Sequence, residues 1–586
     1  MLEKYFSRNR KAHVYLPGEE IKIDTSTAFN NYLFDGDPLT TVKNRVAFAT
    51  LLFIFAYLVI TVRLFGVCLS NGLPAAADDE ESRHLFTYAD NPIKRADILD
   101  RNGTIIATSL PTVNLYANPR KVPNKEKAAA KLSAVLPDIR YEDILVKLQR
   151  RNTFVYLKRN LTPSQQYQIN ALGIPGLEFE NGEKRIYPHK ELFAQLLGST
   201  NIDNQGIAGI EKQMDERLTQ SDIPLTLTID AGLQDTIREE LKAAVSKFKA
   251  EGAAAIVMDV RSGEILAMIS LPDYDPNSMN NIPERALFNF ATKGVYEPGS
   301  VLKVFNAAMG LESGKVKVSD KWDATKPLKL RYNTIKDYRG ENRWLDLPEI
   351  LIYSSNIGSA RIALTVGKDE QRKFLNNLGF FTPIKSIEVA EKGMPLIPSE
   401  KRWGEETTAT VGYGISITPL HLISAFSAIV NGGIYHAPTL LKDNQARDSH
   451  RVISFNTSKQ MRKLLRGVVT DGSGKRANVL GYEVAGKTGT ANKLVNGHYV
   501  DKKVMTSFLA TFPASEPQYA LFMVMDEPKP LKETWGFVTS GWNTVPTAGK
   551  IISEIAPQLN VKANYDLDEL RRSRIIEATF EKPVRP

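Results

Sequence analysis

Hydrophobic positions change their spacing several times along the chain, and each spacing predicts a different element. From Val46 to Val62 the apolar run carries no charge, and past Arg63 it resumes through Leu64 to Leu69. As one helix, residues 46–69 span about 36 Å, enough for a bilayer core of about 30 Å. Lys43 and Arg45 precede this run, and Asp78, Asp79, Glu80 and Glu81 follow it. That bias puts the N-terminus in the cytoplasm and the bulk of the chain outside, with Arg63 near one end and able to snorkel. Residues 1–45 are polar, mixed in charge and punctuated by Pro17, Gly18, Gly36 and Pro38, as a disordered tail is. Ala75-Ala76-Ala77 would suit a cleaved signal peptide, but the long leading region and long apolar run suit an anchor.

Beyond residue 88 the patterns are those of a globular protein. Ile98 to Ala107 reads as strand, Asn-Gly turn and strand, with Asn114 to Ala117 extending the sheet. Lys125 to Leu136, after the N-cap candidate Asn124, and Tyr141 to Leu148 read as helices. Leu225 to Asp230 alternates like a strand and opens a third unit. Leu233, Ile237, Leu241, Val245 and Phe248 then line one face of a helix over 231–250. A hairpin follows, Ala253 to Asp259 and Glu264 to Ser270. Two late strands are expected at Met505 to Phe512 and Tyr519 to Met525, and a closing helix at Thr547 to Ile555. Strands at both ends of a helical middle predict an α/β fold, an antiparallel sheet covered by helices. The expected divisions are a tail (1–45), a transmembrane helix (46–69), a linker (70–87), a pedestal-like module (88–222), a large third unit (223–560) and a C-terminal tail (561–586).

Composition narrows the function. The 586 residues carry net charge +9, with Lys and Arg scattered rather than blocked, which fits an anionic membrane or wall polymer and excludes a nucleic-acid binder. Seven histidines show no ligand spacing, so neither a metal nor another cofactor is indicated. With Cys68 alone, no internal disulfide can form.

The chemistry gathers at Tyr296-Glu297-Pro298-Gly299-Ser300-Val301-Leu302-Lys303. A Pro-Gly turn leads into a buried helix, so Ser300 stands near a helix N-terminus with Lys303 one turn on, on the same face. A hydroxyl is a poor nucleophile until a base adjoins it. A lysine becomes that base when burial and a neighbouring cation lower its pKa. A second S-x-x-K, Ser246 to Lys249, has no turn before it and reads as solvated helix surface. Ser354-Ser355-Asn356 lies between apolar runs and offers a second hydroxyl and an amide. Ser278-Met279-Asn280 precedes the nucleophile, and Ser454-Phe455-Asn456 reads as a helix N-cap, so Ser354 and Asn356 are preferred. Lys487-Thr488-Gly489-Thr490 ends a strand. It offers a cation to depress Lys303, hydroxyls at Thr488 and Thr490 for a carboxylate, and a backbone N–H at Thr490 that with that of Ser300 makes an oxyanion hole. The motifs run in order, 54 and then 133 residues apart.

With these motifs the chain resembles the class B penicillin-binding proteins, peptidoglycan D,D-transpeptidases, over roughly residues 46–557, and most of all their cell-division branch in Gram-negative bacteria. Gly206 to Glu211, Val411 to Gly414 before Thr418-Pro419-Leu420, and Asp526-Glu527-Pro528 add to the likeness, and Asn356 favours the division branch over elongation-type relatives, which carry Asp there. Ala96 after Arg95, His421 and Lys475 depart from the family pattern at positions outside the catalytic motifs; His421 reads as a packed or capping side chain. The resemblance implies an acyl-enzyme on Ser300 with Lys303 as base. Ser354 passes the proton on, while Asn356, Lys487, Thr488, Gly489 and Thr490 hold the stem peptide. It also implies β-lactam sensitivity, no cofactor, an inner-membrane anchor with the catalytic domain periplasmic, and partners in the divisome. Among these partners is a glycosyltransferase of the shape, elongation, division and sporulation family. The rival readings are less well served. A D,D-carboxypeptidase or β-lactamase needs an activated water, and no Glu-x-x-x-Asn stands where that role requires it. The non-enzyme rival is a membrane β-lactam sensor or a divisome scaffold; a sensor needs a cytoplasmic effector longer than this tail. A bifunctional synthase needs an acidic pair that the N-terminal module lacks.

Overall fold

The computed structural model describes residues 48–63, 94–409, 412–443, 447–495 and 498–565. By internal contacts the chain forms two units, Met1–Asn91 and Pro92–Pro586. In the first, residues 48–63 form a helix whose apolar side chains are exposed. Among the described residues no helix is long and apolar enough to cross a membrane. The rest of the expected span, 46–47 and 64–69, lies outside them, as do the N-terminal tail, the linker and residues 566–586.

The second unit begins with a five-stranded sheet in which β2 (Ile105–Ala117) is central. It pairs antiparallel with β1 (Ile98–Leu99), β3 (Val155–Leu161) and β4 (Leu177–Ile186). Helices α1 (Lys125–Val135), α2 (Tyr141–Leu148) and α3 (Pro163–Ala171) bury Leu132, Ile144, Leu148 and Ile169 against it. Asn124 caps α1 by accepting from Lys127 N, as expected. One reading is corrected here. The expected strand over 225–230 shrinks to β5 (Leu225–Thr226), and it does not open the next sheet. It pairs in parallel with β1 (Ile98↔Leu225), closing the N-terminal sheet. Beyond Thr226 no regular ladder follows: Leu227 N–H donates to Leu99 O, residues 226–228 bridge to 440–442, and the Thr228 hydroxyl donates to Ile265 O.

At the base of this module a buried carboxylate holds two buried guanidinium groups. Glu211 is fully buried; it receives Arg95 Nε at 2.8 Å and Arg185 Nε at 2.6 Å. Arg95 also reaches Asp215 at 2.7 Å and the Glu211 carbonyl at 2.9 Å, and Arg185 reaches Ala96 O at 2.9 Å. The stretch Gly206 to Glu211 thus has a structural role. Gly209 takes a left-handed φ of 60° that opens the turn carrying Glu211, and its N–H donates to the Glu391 carboxylate at 3.1 Å.

The larger sheet is antiparallel throughout, in the order β8 (Ala485–Val495), β9 (His498–Phe512), β10 (Tyr519–Asp526), β6 (Gly252–Asp259), β7 (Ile265–Leu271). Its strands β6, β7 and β10 are buried along nearly their whole length, because helices cover both faces. On one face lie α4 (Ala231–Phe248) and the closing helix Thr544–Gln558, packing Ile237, Leu241, Ile551 and Ile555 onto Val257 and Met523. On the other lies a helical cluster that includes α5 (Leu302–Glu312), α6 (Leu347–Ile352), α7 (Asn356–Val366) and the all-buried helix Pro419–Val430. The α/β expectation and the closing helix match, the helix being longer at both ends. Strand β8 lies at the sheet edge and meets the helical cluster at the turn before α5 and at Ser354, segments that outline a candidate cleft.

Candidate active site

Ser300, Lys303, Ser354, Asn356 and Lys487 meet in one hydrogen-bond network, and Thr488, Gly489 and Thr490 continue the strand of Lys487 beside it. Ser246 and Lys249 are exposed on and just past α4, and Ser454 caps the helix Phe455–Thr470 by accepting from Thr457 N.

Ser300 sits in a single 3-10 turn, Gly299–Val301, that runs directly into α5. Gly299 has φ 54°, and a Cβ there would lie 2.8 Å from Thr490 O, so only glycine lets this turn press against β8. Gly489 answers from the strand, where a Cβ would lie 2.8 Å from Val301 Cγ2. These two glycines bring the nucleophile turn and the Lys-Thr-Gly strand into contact.

Lys303 is buried, and its Nζ has four polar neighbours: Ser354 O at 2.5 Å, Asn356 Oδ1 at 2.7 Å, Ser300 Oγ at 3.0 Å and Ser354 Oγ at 3.1 Å. Two of these can only accept. The Asn356 amide is oriented by its Nδ2, which donates to Lys336 O at 2.7 Å. A neutral amine gives its two N–H bonds to the two carbonyl oxygens and keeps its lone pair for a hydroxyl hydrogen. The surroundings favour that neutral form. Burial first, and the Lys487 cation second, hold Lys303 well below the usual lysine range, against the opposing pull of Asp337. Burial likewise brings Lys487 down to about 7. Ser354 lies between the amines, its Oγ 2.9 Å from Lys487 Nζ. Its backbone is left-handed, φ 58°, a conformation costing roughly 1 kcal/mol for a residue with a Cβ. That conformation lets both its carbonyl and its hydroxyl meet Lys303.

Two contributors carried no signal in the sequence. Asp337, from a loop rich in basic residues, accepts Ser355 Oγ at 2.8 Å and the backbone N–H groups of Asn356 (2.5 Å) and Ile357 (3.0 Å), capping α7 from outside its own segment. Ser473 meets Thr488 Oγ1 at 2.8 Å; Ser-Gly pairs are too common to have marked it. Thr490 Oγ1 accepts Ser540 N at 3.2 Å. His421 is buried, with Nδ1 2.7 Å from Thr418 Oγ1 and Nε2 2.9 Å from Thr382 O; it packs and caps away from the cleft.

Comparison with known proteins gives the family. Residues 253–541 match the penicillin binding protein transpeptidase domain, and residues 90–230 the penicillin-binding protein dimerisation domain. The chain is 36% identical over 496 residues, 82% of its length, to the probable peptidoglycan D,D-transpeptidase FtsI of Caulobacter vibrioides, covering 84% of that protein. The chain is a class B penicillin-binding protein. Its similarity to FtsI of Escherichia coli, 29% over 503 residues, covers 80% of this chain and 84% of that one. These relatives place the penicillin-binding protein in the division branch. Its fold also matches that of penicillin binding protein 3 from Mycobacterium tuberculosis crystallised with aztreonam. There the TM-score is 0.65 at 22% identity, covering 81% of this chain and 98% of the other.

Proposed function

We propose that this penicillin-binding protein cross-links peptidoglycan stem peptides at the division septum through an acyl-enzyme on Ser300. The observation that carries the reading is the position of Lys303 Nζ, 3.0 Å from Ser300 Oγ and 3.1 Å from Ser354 Oγ. Neutral Lys303 takes the Ser300 proton as Oγ attacks the carbonyl of the D-Ala-D-Ala bond. The proton passes by way of the Ser354 hydroxyl to the departing D-Ala nitrogen, and an ester to Ser300 remains. The amine of a second stem peptide then attacks that ester, loses its proton back along the same path, and frees Ser300 with a new amide formed. Asn356 and the Lys487 to Thr490 strand hold the peptide, with the N–H groups of Ser300 and Thr490 facing the oxyanion. β-Lactams acylate the same serine.

The pH profile of penicillin acylation tests the base. Only neutral Lys303 accepts a proton, so the rate should rise with pH through its depressed pKa and level off above it. Lys487→Gln removes a like charge, so the Lys303 pKa rises and the ascending limb should move to higher pH, whatever happens to the plateau. A limb that stays in place or moves to lower pH rules out Lys303 as the base depressed by Lys487.

We assign residues 46–69 to a single inner-membrane anchor with the N-terminus cytoplasmic, docking a glycosyltransferase of the shape, elongation, division and sporulation family; the charge bias around the apolar run supports the orientation. A chain with 46–69 replaced by an unrelated transmembrane helix, carrying after Pro586 a reporter active only outside the cytoplasm, should keep the reporter signal and penicillin labelling yet fail to restore division in a depleted strain. Full rescue removes the docking role, and a silent reporter on the native chain reverses the topology.

A further inference from the structure

The strands Lys321–Asp323 and Trp344–Asp346 pair antiparallel (Trp344↔Asp323), and the twenty residues between them, 324–343, form an excursion from the helical cluster. Its outer half lies open to solvent. Tyr332 is 77% exposed, Tyr338 75%, and Trp344 at its foot 56%. Three large aromatic side chains exposed within thirteen residues of sequence exceed the scattered single exposures of an ordinary surface. The excursion carries six Lys and Arg against two carboxylates. Asp337 is occupied within the fold, and Glu341 lies 3.8 Å from Arg343, so the face turned outward is basic.

Its contacts fix it over the cleft. Asp337 holds Asn356 on one wall. Two residues on, the Arg339 guanidinium lies 5.1 Å over the ring of Phe537, in the segment whose Ser540 N–H donates to Thr490 on the other wall. Tyr338, between those two anchor points, therefore lies at the cleft mouth. On the flank Arg343 lies 5.7 Å over Tyr353, the neighbour of Ser354.

A substrate of known covalent shape must pass this mouth. An extended peptide advances about 3.4 Å per residue, so a stem only a few residues long that reaches Ser300 leaves its sugar on the order of 10–20 Å away. Pyranose rings present flat C–H faces that rest on aromatic rings, and guanidinium groups take carboxylates bidentately. We infer that the 324–344 excursion is a glycan-binding rim: Tyr338 and Trp344 seat the saccharide backbone of the strand, and Arg339 takes a carboxylate of its peptide. Tyr, Trp and Arg also dominate protein interfaces. The glycan is favoured because the peptide in the cleft tethers it to this spot. The inference rests on Ser300 as the acylated residue.

The test uses the full chain in detergent and glycan strands stripped of their stem peptides. The native chain should bind them; Tyr338→Ala/Trp344→Ala and, separately, Arg339→Gln should be compared with it. The aromatic double variant should lose at least tenfold in affinity for the bare glycan while its penicillin acylation rate stays within twofold. Arg339→Gln should bind bare glycan normally but weaken capture of strands that still carry peptides. Equal glycan binding by the double variant and the native chain overturns the rim. So does a parallel fall in penicillin acylation, which would make the excursion part of the peptide cleft. Lost division with glycan binding intact overturns it too, in favour of a protein partner. Failure of the native chain to label with penicillin strikes the Ser300 assignment and the rim together, whereas a native chain that labels normally but does not bind bare glycan strikes only the rim.

Discussion

Ser300→Ala should abolish covalent labelling by a fluorescent penicillin, with the folded protein otherwise unchanged. The serine hydroxyl adjoins Lys303, at 3.0 Å, and stands in the turn that opens the buried helix α5. Ser354 also reaches Lys303, but it is held between two amines and against the carbonyl network, where it can relay a proton. Alanine removes a single oxygen and leaves the Gly299 turn intact, so the melting temperature should stay within about 2 °C, while the acylation signal falls by at least about 10⁴-fold, as it does when a hydrolase loses its nucleophile. Ser246→Ala, on the exposed decoy, should label normally. Labelling of Ser300→Ala at even a tenth of the native rate would transfer the nucleophile's role elsewhere.

The second large effect is on stability and lies far from the cleft. Glu211→Ala strands the Arg95 and Arg185 guanidinium groups, both about 1% exposed at the side chain, with no carboxylate between them. Removing one partner of a buried ionic cluster costs about 3–5 kcal/mol, because the remaining charge stays desolvated. Arg95 keeps Asp215, which is partly exposed and offsets only part of the loss. Denaturant unfolding should show that decrease. A variant within 1 kcal/mol of native would mean that water reaches the cluster. Replacing all three by well-packed apolar residues should cost far less than the single change, the comparison that separates a need for charge pairing from a need for filled volume.

The candidate site was legible because it is made of short motifs held in register by glycine. Ser300, Lys303, Ser354, Asn356 and Lys487 each carry a local pattern, and turn chemistry at Pro298-Gly299 set that S-x-x-K apart from the one at Ser246. Asp337 was not legible. Its role depends on a loop folding back over the start of α7, and no periodicity links position 337 to position 356. The elements followed the same rule. Helices with strong 3.6-residue spacing, such as α2 and α4, appear close to where they were expected. Leu225 to Asp230 alternated as well as any strand, but strand formation needs a partner edge, and beyond Thr226 the chain turns to bridge Leu441. Alternation reports which side chains are buried, not whether a ladder forms beside them.

The parallel pairing of Ile98–Leu99 with Leu225–Thr226 places the entry and exit of the N-terminal module side by side. Within it, β2 and β4 pair antiparallel from Thr108↔Ile186 to Ala117↔Leu177 and the residues they enclose pack in a core of their own, whereas Phe193 to Leu218 join the main core and bond to Pro272, Ala286 and Glu391. Segments whose ends meet in this way can lengthen, shrink or be exchanged without moving the body that carries them. The part enclosed by β2 and β4 is therefore free to diverge from one lineage to the next, because no insertion within it needs to alter the spacing between Ser300 and the strand of Lys487.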